Sequence, residues 1–362
     1  MLADLEELVT CESYSADHTA VARSAHVVAE QGTRLLGGQP HTLVVDGVTH
    51  VRWMFGTTPR VLLVGHHDTV WPIGSLTTHP WSVEDGVARG PGVFDMKAGL
   101  VQMFHALASL PSLDGVCVLV TGDEEVGSGT SRHLVEDLAR QCAATFVLEP
   151  SGPGGALKTG RKGVSFYGIT VLGRAAHAGL EPEKGINAAT ELAHQILALR
   201  QIADTVNERT GPGTTVTPTL ASAGSTANTV PARADLSVDV RVPGAAAQDT
   251  TDRLIRALRP HDPEASLRIS GGPNRPPLET TASEKLFALA EDIAARLGMA
   301  PLGRAAAVGG GSDGNYTAGV GCPTLDGLGA VGDGAHADHE HVLTPTMPPR
   351  SRLLAHLVGA LQ

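Results

Sequence analysis

The sequence predicts an α/β protein with a mostly parallel sheet, interrupted by an inserted α+β domain of ferredoxin-like order. Three observations carry this. Short apolar runs alternate with amphipathic helical stretches through the first 161 residues. Near residue 162 the pattern changes to strands that alternate polar and apolar positions. From there to residue 272 the order reads β-α-β-β-α-β, the split-βαβ arrangement.

In the first domain, Thr19–Leu36 reads as an amphipathic helix, and Arg60–Val64 is a short apolar run ending at Gly65, as a buried strand would. A helix follows over Ala98–Leu110, a second buried strand over Gly115–Thr121, a helix over Gly129–Gln141 and a third strand over Ala144–Leu148. Buried strands separated by helices make a parallel sheet covered on both faces. In the insert, Gly163–Leu172 alternates like a half-exposed strand, and Ile186–Ile202 is a long helical pattern. Thr214–Ala223 and Ala234–Val242 are strands, Gln248–Leu258 a helix and Ala265–Ser270 a last strand. The predicted domains are therefore 1–161 with 273–362, and 162–272 inserted between them.

Composition excludes several classes of function. The chain has 362 residues, 42% hydrophobic and only 3% aromatic, so aliphatic side chains must fill the core. A net charge of −11 without a basic block argues against nucleic acid or an acidic membrane surface as partner. Cys11, Cys117, Cys142 and Cys322 lie far apart, which suggests neither a disulfide framework nor a thiolate zinc site. The N-terminal stretch MLADLEELVT lacks the apolar core of a signal peptide, and a cytoplasmic location is expected.

The chemistry sits at the strand ends. Arg60–Val64 runs into Gly65-His66-His67-Asp68, Gly115–Thr121 into Gly122-Asp123-Glu124-Glu125, and Ala144–Leu148 into Glu149-Pro150. Between the first two lies Gly92-Val93-Phe94-Asp95-Met96-Lys97, before a helix. Open α/β sheets bind ligands beyond the carboxyl ends of their strands. Imidazoles and carboxylates suit zinc, and clustered carboxylates need cations to neutralise them. Two ions sharing one carboxylate suit hydrolysis by an activated water.

His66 and Asp68 are two apart in an extended segment and point to one face, so Asp68 can orient the imidazole of a liganding His66. Glu124 and Glu125 point apart, so one can bind metal while the other acts as base. Near the C-terminus, Asp333–His341 carries three imidazoles, and spacing alone does not choose among His336, His339 and His341.

Together these motifs resemble the metallopeptidase family of glutamate carboxypeptidase, acetylornithine deacetylase, succinyl-diaminopimelate desuccinylase and aminoacylase. The match lies in Gly65–Val70, Gly92–Gly99 (G-x-x-D-x-K-x-G), Asp123–Ser128 (D-E-E-x-G-S), Glu149-Pro150 and Gly334–Glu340 (G-x-H-x-x-x-E). GPGVFDMKAG and GGGSDGNY bring it closest to glutamate carboxypeptidase. The resemblance implies two zinc ions, replaceable by cobalt or manganese. His66 and Glu149 would hold one, Glu125 and His336 the other, with Asp95 bridging. Glu124 would be the general base and Asp68 the partner of His66. A cis peptide after Asp95 is also implied.

For the insert, the resemblance implies a lid and dimerisation domain, with motion at hinges near 162 and 272. His177 would help stabilise an oxyanion, often across a homodimer interface. Asn228 resembles a second oxyanion or carboxylate contact, and Arg241 resembles the anchor for the substrate carboxylate. Arg161 and Arg275 are further cations on the substrate side. Gly310 and Gly311, within Gly309–Asp313, resemble the family's glycine-rich loop near substrate.

The implied activity is hydrolysis of an amide bond next to a free carboxylate, releasing a C-terminal amino acid from N-acyl amino acids or short peptides. The alternative within the family is an N-acyl amino acid deacetylase or desuccinylase. Outside it, Gly310–Gly314 fits the G-x-S-x-G of a serine hydrolase using Ser312, and a non-catalytic binding protein is the other rival.

Overall fold

The computed structural model describes residues 1–305 and 308–362. It divides into two units, Met1–Arg161 with Leu278–Gln362, and Lys162–Pro277. The second junction falls beyond residue 272 because the strand Ser266–Arg275 stays paired along Gly163–Leu172 as far as Arg275↔Val164.

The first unit is built on a six-stranded sheet in the order His41–Val45, Val48–Met54, Val116–Thr121, Val61–His66, Ala144–Val147, Thr324–Leu325. The last four strands are parallel, and the first two form an antiparallel hairpin at the edge. Val61–His66 and Val116–Thr121 are buried at every position, as central strands covered on both faces must be. Helices His18–Leu36, Ala98–Ala108, Thr280–Arg296 and Met347–Gly359 supply the main apolar core with the sheet. A smaller core of Leu62, Val64, Cys117, Leu119, Val135 and Tyr316 lies on the opposite face. The fold class is the expected one, and the central strands fall within two residues of their predicted bounds.

Four further strands make a small antiparallel sheet, in the order Gly332–Asp333, His341–Leu343, Val87–Arg89, Ser82–Glu84. Its pairing His341↔Arg89 brings the turn at 334–340 beside the loop at 90–95. Gly99 shows how tightly the neighbouring helix is seated: a Cβ there would overlap the carbonyl oxygen of Leu148, at the end of a central strand.

The second unit is a four-stranded antiparallel sheet in the order Thr215–Ala223, Arg233–Val242, Gly163–Leu172, Ser266–Arg275. Helices Ala188–Thr210 and Ala245–Arg256 pack on it around Tyr167, Ile169, Val171, Leu199, Val238 and Ile255. The long helix runs to Thr210, past the expected Ile202, because Val206 continues the buried stripe. Among the described residues, no helix is long and apolar enough to cross a membrane.

Candidate metal centre

His66 ends its strand with its side chain buried. Nδ1 donates to the main-chain carbonyl of Asp68 at 2.9 Å, which leaves Nε2 as the nitrogen that could hold a metal. Nε2 lies 3.3 Å from Asp95 Oδ1 and 3.6 Å from Glu149 Oε1. On the other side, His336 Nε2 lies 3.0 Å from Glu125 Oε2 and 3.5 Å from Asp95 Oδ2. The two oxygens of Asp95 thus face different imidazoles, Oδ1 toward His66 and Oδ2 toward His336. Donor atoms of His66, Asp95 and Glu125 all lie within 4.8 Å of one another, as do those of His66, Glu124 and Glu149.

The donor chemistry fits divalent cations. Three buried or half-buried carboxylates face two imidazoles, and their electrostatics record the demand for positive charge. Burial opposes ionisation of Asp95, yet hydrogen bonds from His336 and His66 hold its carboxyl far below the usual range. Hydrogen bonds to Asp95 and Glu125 push the His336 imidazole up to about 10. Burial lifts Glu125 to about 7, against its hydrogen bond to His336. His66 pays a desolvation cost, but its contacts with Asp68, Asp95 and Glu149 raise it well above the ordinary imidazole value. A metal cation held by such a donor set would supply the positive charge that these carboxylates draw from the imidazoles.

Asp68 orients His66 chiefly through its main chain, its carboxylate Oδ1 lying 3.5 Å from Nδ1. That carboxylate accepts from the Ser15 hydroxyl at 2.7 Å and from the backbone N–H groups of Glu124 and Glu125 at 3.2 and 3.3 Å. Asp68 therefore links the first strand end to the second. Asp123, also in the Asp123–Ser128 motif, is structural: it accepts from the N–H and hydroxyl groups of Thr130 and Ser131 and closes the turn. A non-proline cis peptide joins Asp95 to Met96. Lys97 is buried, donates to the Cys11 carbonyl at 3.1 Å, and is pulled down to about 8 by desolvation. His336 adopts φ 63, the left-handed region that a non-glycine residue enters at a cost.

Two arginine readings divide. Arg161 is no open cation: it is buried, forks onto Asp326 at 2.6 and 3.0 Å, and reaches Glu149 Oε2 at 3.1 Å. Its remaining amino group donates to the carbonyls of Gly310 and Gly311, so these glycines are tied to the Glu149 support. In the second unit, Arg241 forks onto Asp239 at 2.8 and 2.9 Å, and Arg275 is buried at a strand end. His177 is exposed, and its Nδ1 accepts from the N–H groups of Gly179 and Leu180, which leaves Nε2–H as an outward donor. Ala178 N–H donates to the Asn228 carbonyl at 2.9 Å, so His177 and Asn228 are neighbours on that unit.

Ser312 does not suit a nucleophile. It is fully buried, donates to Asp326 at 2.6 Å and accepts from Gly314 N–H as the cap of helix Asp313–Gly319. The adjacent Asp313 accepts from Thr121 and Ser128, bracing the turn that carries Glu124 and Glu125. Sequence reasoning missed Ser15, Asp313 and Asp326. Asp313 closes the glycine-rich loop but carried no signal of its role, Ser15 and Asp326 stand in no motif, and the partners Asp68, Thr121 and Arg161 lie far away in sequence.

Comparison with known proteins converges on one family. The profile of peptidase family M20/M25/M40 matches residues 62–360. Carboxypeptidase G2 of Pseudomonas sp. (strain RS-16) is 30% identical, over 99% of this chain and 88% of that protein. A succinyl-diaminopimelate desuccinylase of Granulibacter bethesdensis is 31% identical, over 78% of each. Among solved structures, an M20 family metallo-carboxypeptidase from Sulfolobus solfataricus shares the fold with a TM-score of 0.76 at 17% identity, covering 99% of this chain and 98% of that one. A dinuclear metal-binding M20 peptidase from Bacillus subtilis gives 0.64 at 16% identity, covering 99% and 97%.

Proposed function

The chain belongs to peptidase family M20/M25/M40, a family of metal-dependent hydrolases, and from that premise we propose that it holds two zinc ions and cleaves an amide bond next to a free carboxylate. His66 and Glu149 would hold one ion, Glu125 and His336 the other, with Asp95 shared. The observation that carries this is the split geometry of Asp95, one oxygen toward each imidazole. Bound ions supply Lewis acidity to the water and to the scissile carbonyl.

The residues of the chain do the rest. Glu124 takes the proton of the attacking water and returns it to the leaving nitrogen. Its backbone is fixed for this by Asp68, which also orients His66. His177 Nε2–H suits donation to an oxyanion, and the tautomer set by Gly179 and Leu180 supports that role. Asn228, Arg241 and Arg275 are proposed to recognise the substrate carboxylate, and Gly310 and Gly311 to line the substrate side.

We place the substrate among N-acyl amino acids and short peptides, with release of the C-terminal amino acid, in line with the names of the carboxypeptidase and desuccinylase relatives. Four free cysteines suit the reducing cytoplasm. The edge strand Thr215–Ala223, exposed over most of its length, supports a homodimer formed through the inserted unit, and light scattering would read that mass directly.

The deciding experiment is Glu124→Gln. Its metal content should match that of the parent, while kcat for amino-acid release falls by about 10²–10⁴-fold. Full turnover with normal metal content would remove Glu124 from the proton path. A panel of N-acyl amino acids and dipeptides, with and without added zinc, identifies the acyl and side-chain preference.

A further inference from the structure

Glu340 ends the Gly334–Glu340 motif, and neither metal binding nor proton transfer uses it. It is 3% exposed. Oε1 accepts from the backbone N–H groups of Phe94 at 2.8 Å and Asp95 at 3.0 Å. Oε2 accepts from Gly92 N–H at 3.1 Å and from the Trp71 indole at 2.6 Å. All four partners are donors, so the group is needed as an acceptor on both oxygens, and charge strengthens each bond.

The donors sit on ligand-bearing segments. Three belong to the loop that presents Asp95. Trp71 lies just past His66 and Asp68. Glu340 shares its turn with His336, and that turn is closed by backbone bonds from Ala337 to Gly334 and from Glu340 to Ala337. One carboxylate therefore fixes the backbone of Asp95 and the turn of His336 in a single frame. A shift of that frame would change both contacts of Asp95, now 3.3 Å to His66 and 3.5 Å to His336.

We propose that Glu340 is a positioning residue of the metal centre, which sets the place of the shared carboxylate Asp95 relative to His336 and so tunes how tightly the second ion is held. This rests on the two-metal reading above. The carboxylate would act through the loop, without touching ion or substrate.

The test compares the full-length parent with Glu340→Gln, Glu340→Ala and Trp71→Phe. Zinc and cobalt are titrated against a chromogenic chelator, the cobalt absorption spectrum is recorded, and kcat, KM and the Tm of the metal-free proteins are measured. Glu340→Gln places an amide NH₂ against backbone donors. It should weaken at least one ion by about 10–100-fold, alter the cobalt spectrum and lower kcat, with KM within about threefold. Trp71→Phe removes one of the four bonds and should act in the same direction, less strongly, so the test survives if Glu340→Ala does not fold. Parental ion affinities and an unchanged cobalt spectrum in Glu340→Gln would overturn the inference, whatever the Tm. A rise in KM alone would overturn it too, by placing Glu340 on the substrate. A parent that binds fewer than two ions would overturn the two-metal reading itself, and this inference with it.

Discussion

Arg161 shows how a buried charge can brace a candidate metal ligand, here Glu149. Its guanidinium spans Glu149 and Asp326, and their charges outweigh its desolvation, so its pKa rises above the ordinary arginine value. Arg161→Met takes the guanidinium away from two buried carboxylates, and removing one partner of a buried ion pair costs about 3–5 kcal/mol. Denaturant titration of the metal-free variant should show that loss, and ion binding at Glu149 should weaken beside it. A variant as stable as the parent would mean that water already compensates the pair. The residues proposed as ligands stand out in the sequence because each lies at a strand end or in a glycine-containing loop. Of their supports, Asp68 and Glu340 stand in the motifs, but the long-range contacts that the supports make were not legible. Ser15 reaches Asp68, Asp313 reaches Thr121 and Ser128, and Glu340 reaches Asp95, all across separations that no local pattern encodes. Arg161 was visible as a cation, but its burial is a property of the fold.

Individual elements were readable in proportion to their length and periodicity. The central strands are uninterrupted apolar runs, and the long helices carry a clear apolar stripe. The small sheet of Ser82–Glu84, Val87–Arg89, Gly332–Asp333 and His341–Leu343 escaped notice because strands of two or three residues show no alternation. It nonetheless aligns the two loops that meet at Glu340. In the second unit, the long helix Ala188–Thr210 carries its own anchor. Glu191, on its first turn, accepts from the backbone N–H groups of His261 and Asp262 and from Gln195. Burial works against the charge, but these bonds prevail and hold Glu191 below its ordinary 4.5. A depressed carboxyl stabilises the folded state fully above pH 4.5, and that contribution fades as pH falls through the lower folded value. Glu191→Gln should therefore cost about 1.5–3 kcal/mol at neutral pH, with the gap to the parent narrowing in acid. Urea titrations at several pH values would read this, and a gap that stays constant down to low pH would exclude the charge as its source.

The whole molecule has separate hydrophobic cores in its two units, and every proposed metal ligand belongs to the first. Calorimetry should resolve two transitions, of which only that of Met1–Arg161 with Leu278–Gln362 responds to zinc. An ion at 100 times its dissociation constant adds about 2.7 kcal/mol per site, which is on the order of 5–10 °C for a unit of this size. Chelation should reverse the shift, and equal movement of both transitions would show that the ions engage the second unit as well. The order of the chain has a further consequence during synthesis. Residues through Arg161 emerge from the ribosome with His66, Asp95, Glu125 and Glu149 already present, but Thr324–Leu325, His336 and Glu340 follow only after the entire insert. The nascent polypeptide can gather one imidazole and its acids early, while the second imidazole arrives last. A translation product cut short before that point would lack the second of the two imidazoles that face Asp95.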